Sequence, residues 1–188
     1  MAESYVIGVD FGSDSVRALI VNTETGENVG QGVACYPRWK AGLYQHPEYS
    51  IFRQHPLDYL ESLEKCITTA LAELTEEQKD HVIGIGVDTT GSTPVPVDKN
   101  GIPLALLDEF AENENAMFFL WKDHAAAAEA DEINKLFRNN SENDYTKYQG
   151  DYSAEWYWAK ILYAVRHDEA IRQAAYTWEE HCDWMTGI

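Results

Sequence analysis

Two segments of the chain place acidic, hydroxyl and glycine residues directly after an apolar run. The first is Asp-Phe-Gly-Ser-Asp-Ser at 10–15, which follows the apolar run 5–9. An aspartate at the end of a strand can hold a divalent cation, and the N–H groups of a Gly/Ser turn can bind phosphate. The segment fits an ordinary hairpin turn equally well, with Asp10 capping its own backbone.

The second segment is Asp-Thr-Thr-Gly-Ser-Thr at 88–93, after the apolar run 82–87. Ligands of open α/β sheets bind beyond the ends of the strands, so these hydroxyls are candidates for ligand contacts. The alternative is an exposed loop.

A third segment, Trp-Lys-Asp-His at 121–124, offers an aromatic platform and polar groups suited to a sugar, although Asp123 could instead cap a helix.

The elements around these segments predict a mixed α/β sheet. Apolar runs at 5–9, 16–21 and 30–36, separated by turns, predict three antiparallel strands. A helix is predicted to begin at Pro56 and to lead into 82–87, a run that predicts a strand buried on both faces.

The C-terminal half predicts more helices than strands. Asp123 is predicted to cap a helix that runs to about Phe137, and Ser153 to cap a second one. Residues 176–184 are expected to form a further strand.

Charge and composition exclude several classes of function. The 188 residues carry a formal net charge of −18, which repels nucleic acid and anionic lipid, so neither is expected as a partner. No apolar run approaches the roughly 18 residues that a membrane span needs. The three cysteines are far apart, which indicates reduced thiols and a cytoplasmic protein.

Taken together, the segments resemble the FGGY carbohydrate kinases. The resemblance is carried by the opening strand and turn, by Gly-Ser-Thr-Pro at 91–94 and by Leu-Trp-Lys-Asp-His at 120–124, and it extends through Glu-Trp at 155–156 and Cys-Asp-Trp at 182–184. Within the family, the match narrows to the kinases of L-ribulose. It implies the ribonuclease-H-like, actin-like ATPase fold, with a mixed sheet flanked by helices.

The resemblance also implies an activity and its ligands. The expected reaction is ATP- and Mg²⁺-dependent phosphorylation of L-ribulose to L-ribulose 5-phosphate in the breakdown of L-arabinose. Asp10 matches the magnesium-associated aspartate, and the turn residues that face the ATP phosphates are Gly12, Ser13 and Ser15. The expected sugar-binding residues are Gly91, Ser92, Thr93, Val95, Trp121, Lys122, Asp123 and Glu155.

Members of the family are much longer than this chain. Residues 1–188 are therefore expected to form an incomplete N-terminal domain that lacks the catalytic base and is inactive alone. Its uncovered apolar surface favours a homodimer. The alternatives are a kinase of another pentulose or of a polyol, and an actin-like ATPase that binds a protein partner instead of a sugar.

Overall fold

The computed structural model describes residues 3–140, 142 and 144–188. They fold into two compact units. Unit 1 comprises 3–43, 55–90 and 182–188, and unit 2 comprises 44–54 and 91–181. The prediction of one domain over 1–188 stays a prediction.

The strands and helices follow the chain in a mixed order. The strands are β1 Tyr5–Phe11, β2 Ser15–Asn22, β3 Asn28–Cys35, β4 Gln45–His46, β5 Ile51–Gln54, β6 Val82–Thr89, β7 Pro94–Val97, β8 Phe118–Phe119 and β9 Thr177–Glu180. The helices are α1 Pro37–Lys40, α2 Pro56–Leu71, α3 Glu76–Asp80, α4 Ala127–Asn139, α5 Thr146–Gln149, α6 Tyr157–His167, α7 Glu169–Ala174 and α8 His181–Gly187.

Unit 1 is built on a four-stranded sheet in the order β3-β2-β1-β6. The first three strands are antiparallel neighbours, and β6 runs parallel to β1. Helix α2 makes the crossover between β3 and β6, as a parallel pair requires. The predicted meander of three strands and the predicted helix at Pro56 are confirmed.

Helix α2 packs directly on β2 and β3 because two glycines of β3 allow a close approach. A Cβ on Gly32 would lie 2.1 Å from the carbonyl oxygen of Cys66, and one on Gly30 would lie 2.6 Å from that of Ala70. No side chain fits between strand and helix at these positions, so the glycines set the distance between the two layers.

The other face of this sheet, called here the open face, carries side chains that are exposed to solvent. Leu19 is 46% exposed and Val33 is 59% exposed. Three glycines, Gly8, Gly84 and Gly86, also lie along β1 and β6, and a Cβ at any of them would meet nothing within 4 Å. The strands of the open face therefore present backbone and apolar side chains with no covering layer among the described residues.

The prediction that 82–87 is buried on both faces is wrong. Ile83 is 69% exposed and Ile85 is 59% exposed. The cause is the position of β6 at the edge of the sheet, beyond the strands that α2 covers.

Unit 2 contains two small sheets and the helices α4 to α7. One sheet has the order β4-β5-β8, and the other pairs β7 with β9 in antiparallel fashion. The predicted strand at 176–184 is partly right, because β9 ends at Glu180 and helix α8 follows.

The predicted helix after Asp123 forms, but α4 begins only at Ala127. Likewise, α6 begins at Tyr157 rather than directly after Ser153.

Candidate phosphate-binding and sugar-binding sites

Three charged residues form one row across neighbouring strands at the end of the sheet of unit 1. Asp10 of β1 is the register partner of Arg17 on β2 and of Asp88 on β6. Register partners point to the same face of a sheet, so both carboxylates and the guanidinium lie on the open face. Arg17 Nη1 donates to Asp10 Oδ2 at 3.0 Å, and both side chains are about half exposed to solvent.

The carboxylates of Asp10 and Asp88 provide the oxygen donors that Mg²⁺ prefers. Mg²⁺ is commonly held by one or two carboxylates and completes its shell with water and phosphate oxygens, so the donor set fits this ion. No group of three or more Asp, Glu, His or Cys able to hold a metal occurs among the described residues. In the sequence, Asp88 opens the candidate segment at 88–93 and ends an apolar run in the same way as Asp10, but it is not among the predicted metal-binding residues.

The turn between β1 and β2 is held by hydrogen bonds from two aromatic side chains. The Tyr36 hydroxyl donates to the carbonyl of Gly12 at 3.1 Å, and Trp39 Nε1 donates to Asp14 Oδ1 at 2.6 Å. Burial raises the pKa of Tyr36 well above its usual value, so this hydroxyl stays protonated. The turn is therefore fixed before any ligand binds.

The three predicted phosphate-binding residues differ in exposure. Gly12 and Ser13 are half-buried at the surface of the turn, whereas Ser15 is only 8% exposed. The Gly12 N–H donates to the carbonyl of Ser15 at 3.0 Å, so this amide is already used within the turn.

In unit 2, the loop at 91–93 has a constrained backbone. Ser92 has φ of 52°, in the left-handed region that residues with a side chain seldom adopt. Thr93 is fully buried, and its N–H donates to Glu180 Oε2 at 2.9 Å. Gly91 is exposed, whereas Val95 is fully buried in β7.

The segment after β8 places aromatic and charged side chains at the surface of unit 2. The Trp121 side chain is 42% exposed, which suits an aromatic platform for a sugar ring. Lys122 Nζ lies 4.5 Å from the centroid of the Phe52 ring. Glu155 Oε1 lies 2.9 Å from His124 Nε2, and both of these side chains are partly exposed.

Asp123, by contrast, is fully buried. Its carboxylate accepts hydrogen bonds from the N–H of Phe52 at 2.7 Å, the N–H of Ala125 at 3.2 Å and the guanidinium of Arg53. Arg53 is also buried and stacks 3.5 Å from the centroid of the Phe119 ring. In this structure the carboxylate of Asp123 joins segments of the protein and is not exposed to a ligand.

Two buried cations of unit 2, Arg53 and Lys160, are not predicted as site residues from the sequence, because no motif or spacing marks them. Burial lowers the pKa of Arg53 to about 9, and burial together with the charge of Arg53 lowers the pKa of Lys160 to about 7. Both contact Phe119, which lies two residues before Trp121, so they support the predicted sugar-binding segment from its buried side.

Comparison with protein families identifies the class. The model of the FGGY family of carbohydrate kinases, N-terminal domain, matches residues 5–186. The chain therefore belongs to this family of carbohydrate kinases. No described helix has the length and apolar character needed to cross a membrane.

Among curated relatives, the chain is similar to the N-terminal part of ribulokinases. It is 53% identical over 187 residues to the ribulokinase of Vibrio parahaemolyticus, a match that covers 99% of this chain and 33% of the relative. The ribulokinase of Mycolicibacterium smegmatis is 38% identical over 190 residues, which cover 98% of this chain and 34% of that protein. The chain thus spans about a third of the length of these relatives.

Solved structures of the family share the fold at low sequence identity. A xylulose kinase from Bifidobacterium adolescentis superposes with a TM-score of 0.71 at 18% identity, covering 98% of this chain and 33% of that one. A glycerol kinase from Plasmodium falciparum with ADP gives 0.66 at 16% identity, covering 91% and 30%. The predicted actin-like α/β fold is confirmed.

Proposed function

We propose that the chain is the N-terminal part of an ATP-dependent kinase that phosphorylates the terminal hydroxyl of L-ribulose and gives L-ribulose 5-phosphate. The observation that carries the proposal is the 53% identity to a ribulokinase over nearly the whole chain, against 18% to a solved xylulose kinase. The protein that contains this chain and the remaining two-thirds of such a kinase is called here the complete kinase.

The row of charges in unit 1 is suited to phosphoryl transfer. Asp10 and Asp88 would hold Mg²⁺, which when bound neutralises charge on the phosphates of ATP. The ion pair with Arg17 keeps the Asp10 carboxylate on the open face. Gly12 and Ser13, on a turn fixed by Tyr36, would lie against the phosphates.

The polar cluster in unit 2 is suited to a sugar. We assign the stacking surface to Trp121, and hydrogen bonds to sugar hydroxyls to Ser92, Lys122 and Glu155, whose side chains are at least partly exposed. Gly91, Thr93, Val95 and Asp123 would act by shaping the loops, because the last three side chains are buried.

The catalytic base is assigned to the part of the complete kinase outside this chain, and the chain by itself is expected to be inactive. Phosphoryl transfer needs a positioned base, metal and phosphates together. We place the reaction in the cytoplasm, in the breakdown of L-arabinose.

The test is a spectrophotometric assay of ADP formation by the complete kinase with L-ribulose, D-xylulose, D-ribulose, ribitol and glycerol. The highest kcat/KM is expected for L-ribulose. A higher value for another pentulose or for a polyol would assign the protein to a sister kinase. Residues 1–188 alone should form no ADP, and the Asp10→Asn variant of the complete kinase serves as the inactive control.

A further inference from the structure

Lys160 of α6 is a fully buried lysine whose ammonium group is surrounded by backbone carbonyls. Its Nζ lies 2.5 Å from the carbonyl oxygen of Ser92 and 2.9 Å from that of Leu120. The carbonyl oxygens of Phe119 and Trp121 lie at 3.4 and 3.5 Å. One side chain thus binds two segments that lie far apart in the sequence.

These two segments carry two of the partly exposed candidate sugar contacts of unit 2, Ser92 and Trp121. The left-handed backbone of Ser92 is unfavourable by itself, and the short contact from Lys160 to its carbonyl helps to stabilise it. On the other segment, three successive carbonyls, at 119–121, lie around the same ammonium group. The orientation of both segments therefore depends on one cation.

The charges around Lys160 belong to the same network. Arg53 lowers the pKa of Lys160, whereas Glu155 and Glu180 raise it. Glu180 accepts the N–H of Thr93, beside Ser92, and Arg53 stacks on the ring of Phe119. Arg53 and Glu180 thus each contact one of the two segments, and Glu155 pairs with His124, three residues after Trp121.

A purely structural lysine is a poor explanation for this arrangement. Burying a cation is unfavourable, and a well-packed apolar side chain of similar volume is often neutral or better for stability. An apolar side chain has no donors, so it cannot bind carbonyl oxygens of both segments at one point, as the ammonium group does with those of Ser92 and Leu120.

We propose that Lys160 is a positioning residue of the sugar site, which sets the placement of the loop at 91–93 relative to the segment at 119–121. The inference rests on the proposed function, because it takes these two segments to contact the sugar. Lys160 itself is buried beneath them and does not touch the substrate.

The first test replaces Lys160 in the complete kinase by methionine, whose unbranched side chain is one atom shorter and has neither charge nor hydrogen-bond donors. The KM for L-ribulose is expected to rise at least tenfold, and the KM for ATP to change less than twofold. Lys135→Met, at an exposed position of α4 in the same unit, is the matched control and should leave both values unchanged. A folded Lys160→Met variant with wild-type KM for the sugar, or with equal rises for sugar and ATP, would overturn the proposal.

Chemical rescue separates positioning from general stability. In Lys160→Ala, propylammonium has the same atoms as the lost end of the side chain, and 1-propanol has a similar size without charge. Propylammonium is expected to restore most of the affinity for L-ribulose, and propanol is not. Equal rescue by both compounds, or by neither, contradicts a role for the charge. This variant also serves if Lys160→Met does not fold.

A substrate-independent measurement distinguishes failure of this inference from failure of the proposed function. If the wild-type complete kinase phosphorylates no pentulose, the proposed function fails. Amide hydrogen exchange then tests Lys160 directly: the amides at 91–93 and 119–121 should exchange at least tenfold faster in Lys160→Met, and those of β1 and β2 should not change. Unchanged exchange in the two segments would refute the positioning role.

Discussion

Arg53 and Asp123 form an ion pair inside unit 2 in which both side chains are shielded from solvent. The Asp123 carboxylate also accepts two backbone N–H groups, and the guanidinium lies against the ring of Phe119. The pair therefore joins β5 and β8 to the segment that leads into α4. Removing one partner leaves an uncompensated buried charge, which is far more costly than replacing both.

We expect Asp123→Asn and Arg53→Met each to lower the free energy of unfolding by roughly 3–5 kcal/mol. Urea unfolding of the purified chain, followed by circular dichroism, measures this. The double variant, Arg53→Met with Asp123→Asn, should lose clearly less than the sum of the two single changes. Simple additivity would contradict direct coupling between the two side chains.

Asp10→Asn in the complete kinase tests the proposed metal site. The change removes a negative charge from the row that Asp10 shares with Asp88, while the loops of unit 2 keep their sequence. Turnover is expected to fall at least a hundredfold, with the KM for L-ribulose changed less than threefold, because the lost interaction belongs to the metal and phosphates.

Steady-state kinetics at several Mg²⁺ concentrations measures the effect. Arg17→Gln is the companion variant, because it removes the ion pair and keeps the carboxylate. Turnover of Asp10→Asn equal to that of the wild type would remove Asp10 from the catalytic machinery.

The sequence was informative where local pattern determines structure. The apolar runs at 5–9, 16–21 and 30–36 and the turns between them predict the meander, and one face of that sheet packs on α2. The same reasoning failed for 82–87, since an apolar run indicates that a strand is suited to burial but not which element covers it. Ile83 and Ile85 are exposed in this chain.

The sites were predictable at the level of segments rather than of individual side chains. Glycine and hydroxyl residues after a strand identify the loop at 91–93 as a candidate site. Lys160, which binds the carbonyl of Ser92 in that loop, is a single charged residue among the apolar residues of a helical pattern, and nothing in that pattern marks it. The sequence predicts Asp123 at a helix start and in the sugar site, whereas in the structure it is fully buried and pairs with Arg53. Such long-range pairs leave no periodic signal in a single sequence.

We expect residues 1–188 to self-associate through the open face of the sheet. Exposed apolar residues such as Leu19 and Val33 lie beside a surface of glycines that another polypeptide can approach closely. Sedimentation velocity of the isolated chain is expected to show concentration-dependent dimers or larger species.

Substitution of the open face tests whether that surface is responsible. Leu19→Lys with Val33→Glu should shift the isolated chain toward monomer, because both side chains are exposed and the changes add charge to the contact surface. Leu136→Glu on α4, also an exposed apolar position, is the control and should leave the association unchanged. A chain that is monomeric at every concentration would contradict the prediction.

The buried side chain of His181 is expected to make the free energy of unfolding sensitive to acid. The ring is fully buried and lies 5.1 Å, between centroids, from that of Phe118, and burial lowers the pKa of His181 to about 3. In the unfolded chain a histidine titrates near 6.5, so between about pH 6.5 and 3 the unfolded state binds a proton that the folded state does not. The free energy of unfolding therefore falls as the pH is lowered through this window.

Replacing the histidine by an apolar side chain removes this proton uptake. Between pH 7.5 and 4.5, wild type should lose roughly 2–3 kcal/mol more unfolding free energy than His181→Leu, the value for two pH units below the unfolded pKa. Urea unfolding of the purified chain at both pH values provides the comparison. His167→Gln, at an exposed histidine of α6, should keep the wild-type dependence. Parallel pH dependences for wild type and His181→Leu would mean that the buried ring takes up its proton in the folded state.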